Sequence, residues 1–270
     1  MTGDTLLPLA SDWRGRIAPQ LPADPTRLTE DLHTLLTTST PVADAQVIYR
    51  GRNLLYRTTL AGHAVIIKRF RCRGGYQRLL YRWRSSKAQR SFHHAQALLD
   101  AGFCTPTPWA FAERRQGREL VDSVYICAWL PGCHEIRALL NNPDYPDRTD
   151  HLYRVGQLVG RLHQAGILHR DLTPGNVLIS DAKQPGRYDM VDLNRMQFGP
   201  VSPRRGLRNL VGLDPDDTQG RLALIAGYGH TRPTDRRTAI STFWAMARRN
   251  ALRLRLKRRS RRWRHGALRG

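Results

Sequence analysis

Acidic residues are scarce in this sequence, and the shortage is uneven. Between Asp44 and Asp100 there is no Asp or Glu at all. Over 270 residues, 22 Asp+Glu stand against 44 Lys+Arg, a formal net charge of +22. Such a chain seeks polyanions: nucleic acid, nucleotide phosphates or an anionic membrane face. Long apolar runs are missing too. No stretch approaches the ~18 apolar residues of a membrane span, so no transmembrane helix is expected. The N-terminus, MTGDTLLPLASDWRG, lacks a basic region followed by a long apolar run, and no secretory leader is expected. Cysteine is sparse: Cys72, Cys104, Cys127 and Cys133, with no pair at the CxxC spacing of a zinc site. The four are expected to remain thiols in a reducing cytosol. There are no internal repeats.

What is present is enough apolar residue, 40% of the chain, for one two-lobed domain or two small ones. Residues 1–44 read as an N-terminal extension, with a short helix at TEDLHTLL and Thr29 as its cap. AQVIYRG, NLLYRTTL and HAVIIKRF then read as three strands punctuated by Gly51 and Ala61-Gly62, a small antiparallel sheet. A helix is expected from about Tyr81 to Ala101, with Gly102 ending it. PWAFAER and LVDSVYICAWL read as two more strands, closed by a linker at Pro131-Gly132. The second half is mainly helical. Leu152, Val155, Leu158, Val159 and Leu162 recur at spacings of three and four, which buries one helix face. Two short strands, NVLIS and YDMVDL, follow, and a last amphipathic region runs from about Asp235.

The strongest chemical signal is HRDLTPGNVLI, from His169 to Ile179. An Asp followed five residues later by Asn, before an apolar strand, matches the catalytic loop of protein kinases. A phosphoryl acceptor hydroxyl needs a carboxylate to take its proton, here Asp171. A neutral oxygen one loop later, Asn176, suits a metal held against phosphates. Sixteen residues on, the strand YDMVD ends in Asp192, where a kinase places its second magnesium ligand. Magnesium takes hard oxygen ligands and keeps several waters, so one Asn, one Asp and phosphates suffice. Upstream, Val65–Lys68 reads VIIK, similar to the V-A-I-K strand whose Lys pairs with nucleotide phosphates. Ile66 replaces the small Ala of that motif, and an apolar linker runs from Cys127 through Trp129 to Gly132. Each piece alone is weak; their order and spacing make them informative.

The stretch SSKAQRSFHHAQALLDAGFCTPTPWAFAE, the loop HRDLTPGNVL and the strand YDMVDLNRMQF together resemble the bacterial lipopolysaccharide kinase family, over roughly residues 47–212. Members phosphorylate Kdo or heptose sugars of the inner core. The resemblance implies an α+β, protein-kinase-like fold with a small β-rich N-lobe at 45–130 and a reduced, mainly helical C-lobe at 131–235. It implies a phosphotransferase using ATP and Mg2+, acting on a lipid-linked sugar at the inner face of the cytoplasmic membrane. By position, the base falls on Asp171, the metal ligands on Asn176 and Asp192, and the nucleotide lysine on Lys68. Gly51, Ile66, Cys127 and Trp129 are the further candidates for nucleotide contact.

Some family parts are absent. No G-x-G-x-x-G loop precedes Lys68; only Gly51, in Tyr-Arg-Gly-Arg-Asn, stands in that place. No Glu is available on the following helix to pair with Lys68, which must lack a partner or borrow one from elsewhere. No A-P-E motif follows Asp192. A pseudokinase, a protein kinase and a small-molecule kinase therefore stay open as alternatives. Residues 236–270 form a basic tail with Leu252, Leu254, Leu256 and Trp263 interleaved, suited to an anionic membrane surface or another polyanion. No helix-turn-helix, RNP or zinc-finger signature is present, and nucleic acid is not an expected partner.

Overall fold

The computed structural model describes residues 7–38 except 11 and 20, then 45–72, 81, 84–179, 187–233, 235, 237–249 and 252. The chain divides into two units, Met1–Gly132 with Asp189–Arg195, and Cys133–Tyr188 with Met196–Gly270.

The first unit is built on a seven-stranded antiparallel sheet. Its strands are β1 (Leu7–Ala10), β2 (Trp13–Ile17), β3 (Gln46–Arg50), β4 (Leu54–Leu60), β5 (His63–Arg71), β6 (Pro108–Gln116) and β7 (Glu119–Ala128), in the order β1-β2-β6-β7-β5-β4-β3. Alternation along β5 decides its two faces. Val65 and Ile67 join a core with Tyr56, Trp109, Val124 and Ile126. Helix α1 (Pro25–Thr37) closes that core through Leu28, Leu32, Leu35 and Leu36, at helical spacing. The opposite face of β5 carries Ile66 and Lys68. There Phe70, Phe111, Tyr125 and Cys127 pack against Ala88 and Phe92 of helix α2 (Lys87–Asp100).

The described residues of the 1–44 stretch thus pack as part of this unit. They supply two strands and a helix, with β2 paired to β6 from Trp13↔Arg114 to Ile17↔Ala110. The cap of α1 is Asp24, whose carboxylate accepts from the Arg27 N–H at 2.8 Å; Thr29 lies inside the helix and bonds the Pro25 carbonyl. Arg69, buried on β5, ties α1 down. Its Nε donates to Asp122 on β7 at 2.8 Å and its Nη1 to the Thr38 carbonyl at 2.9 Å.

Helix α2 begins at Lys87, later than its sequence pattern suggests, because Ser86 caps it by accepting from the Gln89 N–H. It ends as expected at Gly102, whose φ of +76° an L side chain rarely adopts. The Gly102 N–H reaches Leu99 O and the Phe103 N–H reaches Leu98 O, the paired bonds of a Schellman stop.

In the second unit β8 (His134–Glu135) pairs with β10 (Val177–Ile179), and β9 (Ile167–His169) with β12 (Met196–Phe198). Its helices are α3 (Arg137–Asn141), α4 (Arg148–Gln164), α5 (Pro203–Leu210) and α6 (Thr218–Thr231). Strand β11 (Tyr188–Met190) carries the chain from the second unit back into the first. All five apolar positions read from the α4 sequence are buried. Buried Arg148, at the start of α4, donates to the Leu139 and Leu140 carbonyls of α3 and pairs with Asp217, the cap of α6. One further helix, α7 (residues 237–249), buries Ala239, Phe243 and Ala247. The packed chain therefore continues past 235, and the apolar spacing of α7, not its charge, decides that. Most of the basic tail, with Leu254, Leu256 and Trp263, lies outside the described residues. None of the four cysteines is in a disulfide. Among the described residues no helix is long and apolar enough to cross a membrane.

Candidate active site

Two constellations stand out, one in each unit. In the first unit Lys68 leaves β5 on the face shared with α2. Its ammonium forms an ion pair with Asp192, 124 positions away in sequence. The partner missing from α2 is thus supplied by the segment after β11. Asp192 has φ +56°, an uncommon conformation for a residue other than glycine. Asn194 holds the same carboxylate oxygen, donating from Nδ2 at 2.6 Å.

Helix α2 fixes the backbone around Asp192 from one side. His94 Nδ1 lies 2.7 Å from the Leu193 carbonyl, which can only accept, so the imidazole donates there. Arg90 Nε donates to the Asn194 carbonyl at 3.1 Å. Burial lowers the pKa of His94, which keeps it neutral. Before the strand, Thr105 Oγ1 donates to Met190 O at 2.7 Å. A kinase joins its strand lysine to the next helix by an ion pair. Here the helix grips the backbone that bears Asp192, and Asp192 holds the lysine. His93, the residue before His94 on α2, packs edge-on against Phe92 and near Phe111.

The remaining candidates in this unit lie along the same sheet. Ile66 is half-buried and opposite Cys127 in register. Burial pushes the Cys127 thiol up to about 12, so it is an inert core group. Trp129 donates its backbone N–H to Ala64 O, and its ring lies 5.0 Å beneath the Arg57 guanidinium. Arg57 and Trp129 also border a cavity of about 450 Å³ with Thr107 and Pro131. Gly51 sits exposed in the bend between β3 and β4, its N–H bonded to Asn53 O.

In the second unit β9 delivers Asp171 and Asn176 together. Asn176 closes a 3-10 turn (Pro174–Asn176) and donates from Nδ2 to the Asp171 carbonyl at 2.8 Å. That bond orients the amide and leaves its oxygen as the end able to meet a cation. The Asp171 N–H donates to His169 Nδ1 at 3.2 Å. His169 is itself pinned, its carbonyl accepting from Asn209 Nδ2 at 2.9 Å. Asn209 Oδ1 lies 3.0 Å from His163 Nε2, and His163 Nδ1 lies 3.1 Å from the Tyr228 hydroxyl. One assignment satisfies the whole chain: Nε2 carries the hydrogen and Tyr228 donates to Nδ1. Burial, the largest cause, drives His163 down to about 4, so the imidazole is neutral as this requires. The loop bearing Asp171 is therefore held by a buried relay from α6 through α4 and α5.

A carboxylate such as that of Asp192 and an amide oxygen such as that of Asn176 are each, by type, hard oxygens of the kind magnesium takes. Among the described residues no group of three or more His, Cys, Asp or Glu could hold a metal. Asn194, Arg90 and the relay His163–Asn209 went unread in the sequence. The signal for Asn194 was present, as the Asn of Asp-Leu-Asn; the others carry no local signature.

Comparison with known proteins bears on family and fold. Residues 46–214 match the model of the lipopolysaccharide kinase (Kdo/WaaP) family. A 3-deoxy-D-manno-octulosonic acid kinase of Haemophilus influenzae (strain 86-028NP) is 28% identical over 120 residues, covering 43% of this chain and 48% of that protein. One from Vibrio parahaemolyticus is 22% identical over 117 residues, with the same coverage. The chain spans about half the length of the curated relatives it matches. A solved structure, WaaP in complex with acyl carrier protein, superposes with TM-score 0.57 at 20% identity over 78% of this chain and 89% of that one, and so shares its kinase-like α+β fold. With the family model matching more than half of its length, the chain belongs to the lipopolysaccharide kinase (Kdo/WaaP) family.

Proposed function

We propose that this protein transfers the γ-phosphate of ATP to a sugar hydroxyl of the lipopolysaccharide inner core, Kdo or heptose on lipid A. The Lys68–Asp192 pair carries the reading: two residues with kinase roles by motif meet across 124 positions of sequence. The matched relatives, named for a Kdo sugar, support the acceptor class.

Asp171 accepts the proton of the attacking hydroxyl as the new P–O bond forms. The clamp on its backbone from Asn176 and His169 restricts where the carboxylate can sit, and positioning is most of phosphoryl-transfer catalysis. Lys68 orients the nucleotide phosphates, with Asp192 as its counter-charge while they are absent. Asn176 and Asp192 offer oxygens to magnesium, which when bound neutralises phosphate charge. Ile66, Cys127, Trp129 and Gly51 border the nucleotide. The enzyme works in the cytoplasm, peripheral at the inner membrane face, where the basic tail meets anionic lipid and the substrate is anchored.

The test is transfer from labelled ATP with magnesium to purified Kdo–lipid A, wild type beside Asp171→Asn. Label in the lipid with wild type alone is expected, the variant losing at least about 100-fold in rate and keeping nucleotide binding. No label despite bound ATP would move the acceptor to another molecule. Neither label nor ATP binding would make the chain a pseudokinase.

A further inference from the structure

Lys68 is not the sole cation on its face of the sheet. Lys87, the first residue of α2, places Nζ 5.9 Å from the centroid of the Phe70 ring, and Lys68 Nζ lies 5.5 Å from the same centroid. Two ammonium groups thus share one aromatic ring. Burial lowers the pKa of Lys87 most; Arg52 adds to this, then Arg195 and Arg90, with the Cys72 thiol opposing. The arginines among these, Arg52, Arg195 and Arg90, are all positive neighbours. No carboxylate from residues 45–99 can relieve them, since the sequence has none there.

The cluster is held in place. Ser86 caps α2 and its own N–H reaches the buried Glu113 carboxylate at 3.3 Å, which sets the first helical turn and Lys87 with it. Arg90 is spent as a strut, donating to Ser85 O and Asn194 O. Asn194 holds Asp192, the partner of Lys68. Arg195 follows on the same 3-10 turn, and Arg52 extends exposed from the bend at Gly51. Like charges gathered at a helix N-terminus raise the energy of the empty protein and are relieved by an anion.

We propose that Lys87, Arg52 and Arg195 bind the polyphosphate of a nucleoside triphosphate, doing with side-chain charge what a glycine-rich loop does with backbone N–H groups. The inference rests on the nucleotide reading above and adds three residues to it.

The experiment is equilibrium binding of ATP, AMP and inorganic tripolyphosphate to the full chain at fixed ionic strength. The proteins are wild type, Lys87→Gln, Arg52→Gln, Lys87→Arg and a charge-matched control, Arg161→Gln, on the exposed side of α4. Lys87→Gln and Arg52→Gln should each weaken ATP and tripolyphosphate by about 5- to 10-fold, the loss of one charge-assisted contact, and leave AMP nearly unchanged. Lys87→Arg should restore most of the loss, and Arg161→Gln should change nothing. Wild-type ATP affinity in Lys87→Gln overturns the inference and leaves the kinase reading standing. Equal loss of AMP and ATP overturns it in favour of a structural role. Binding of tripolyphosphate through these residues, with neither nucleotide bound, keeps a polyphosphate site and sinks its assignment to a nucleotide.

Discussion

At the scale of single residues, the loop that bears Asp171 depends on a buried histidine. His163 is buried, neutral and hydrogen-bonded at both nitrogens. Its pKa in the folded chain, about 4, lies below the ordinary 6.5. Between those values the unfolded chain binds a proton that the folded one refuses, so stability falls as pH drops from 6.5 towards 4. The size is roughly 3 kcal/mol across the window. Urea unfolding of wild type at pH 7 and pH 4.5 should show that loss, whereas His163→Gln should be less stable at pH 7 and flatter across the window. A slope as steep as wild type's in the variant would assign the acid sensitivity to other groups. His94 makes the companion point. A neutral imidazole that holds a carbonyl does for the Asp192 backbone what an acidic side chain could not, because a carboxylate has no proton to give.

At the scale of elements, α4 and α6 approach so closely that glycine is required on both. A Cβ on Gly227 would collide with the backbone of Tyr153, and one on Gly156 with the Leu224 carbonyl. Backbone cannot rotate aside as a side-chain tip can, so the helices would have to separate. Gly227→Ala should cost about 3 kcal/mol, read from the midpoint of urea unfolding. Gly229, two residues on in the same helix, has open space around its Cβ position. Gly229→Ala should instead stabilise by up to about 1 kcal/mol through helix propensity alone. Equal effects from the two substitutions would refute the close approach. The pair matters to function because α4 carries His163 and α6 carries Tyr228, so the spacing of these helices sets the relay behind Asp171.

At the scale of the whole molecule, a net charge of +22 dominates behaviour. Nine of the Lys and Arg residues fall between 250 and 270. Each near an anionic leaflet adds on the order of 1 kcal/mol of attraction at low salt, and salt screens it. The full chain should sediment with vesicles rich in phosphatidylglycerol, and raising salt from about 0.1 to 0.5 M should release it. A chain ended after residue 249 should bind those vesicles at least about tenfold more weakly. Unchanged binding by the shortened chain would move the membrane contact elsewhere.

The sequence by itself determined whatever depends on near neighbours. Strands β3 to β7 follow from β-branched and aromatic runs, and α2 ends at Gly102 because only glycine sits easily at that φ. The five-residue step from Asp171 to Asn176 closes within one turn, so their lying together is legible without a fold. Tertiary structure decided what depends on distant partners. Nothing near Lys68 in sequence names Asp192, and no local pattern places β1, β2 and α1 on the sheet. The helix 237–249 was legible as an amphipathic region from about Asp235, but that it packs rather than joining the basic tail is decided by the burial of Ala239, Phe243 and Ala247. The relay from Tyr228 through His163 and Asn209 to His169 joins four separate segments. Hydrogen bonds of that kind are set by where the chain returns in space, which sequence spacing does not encode.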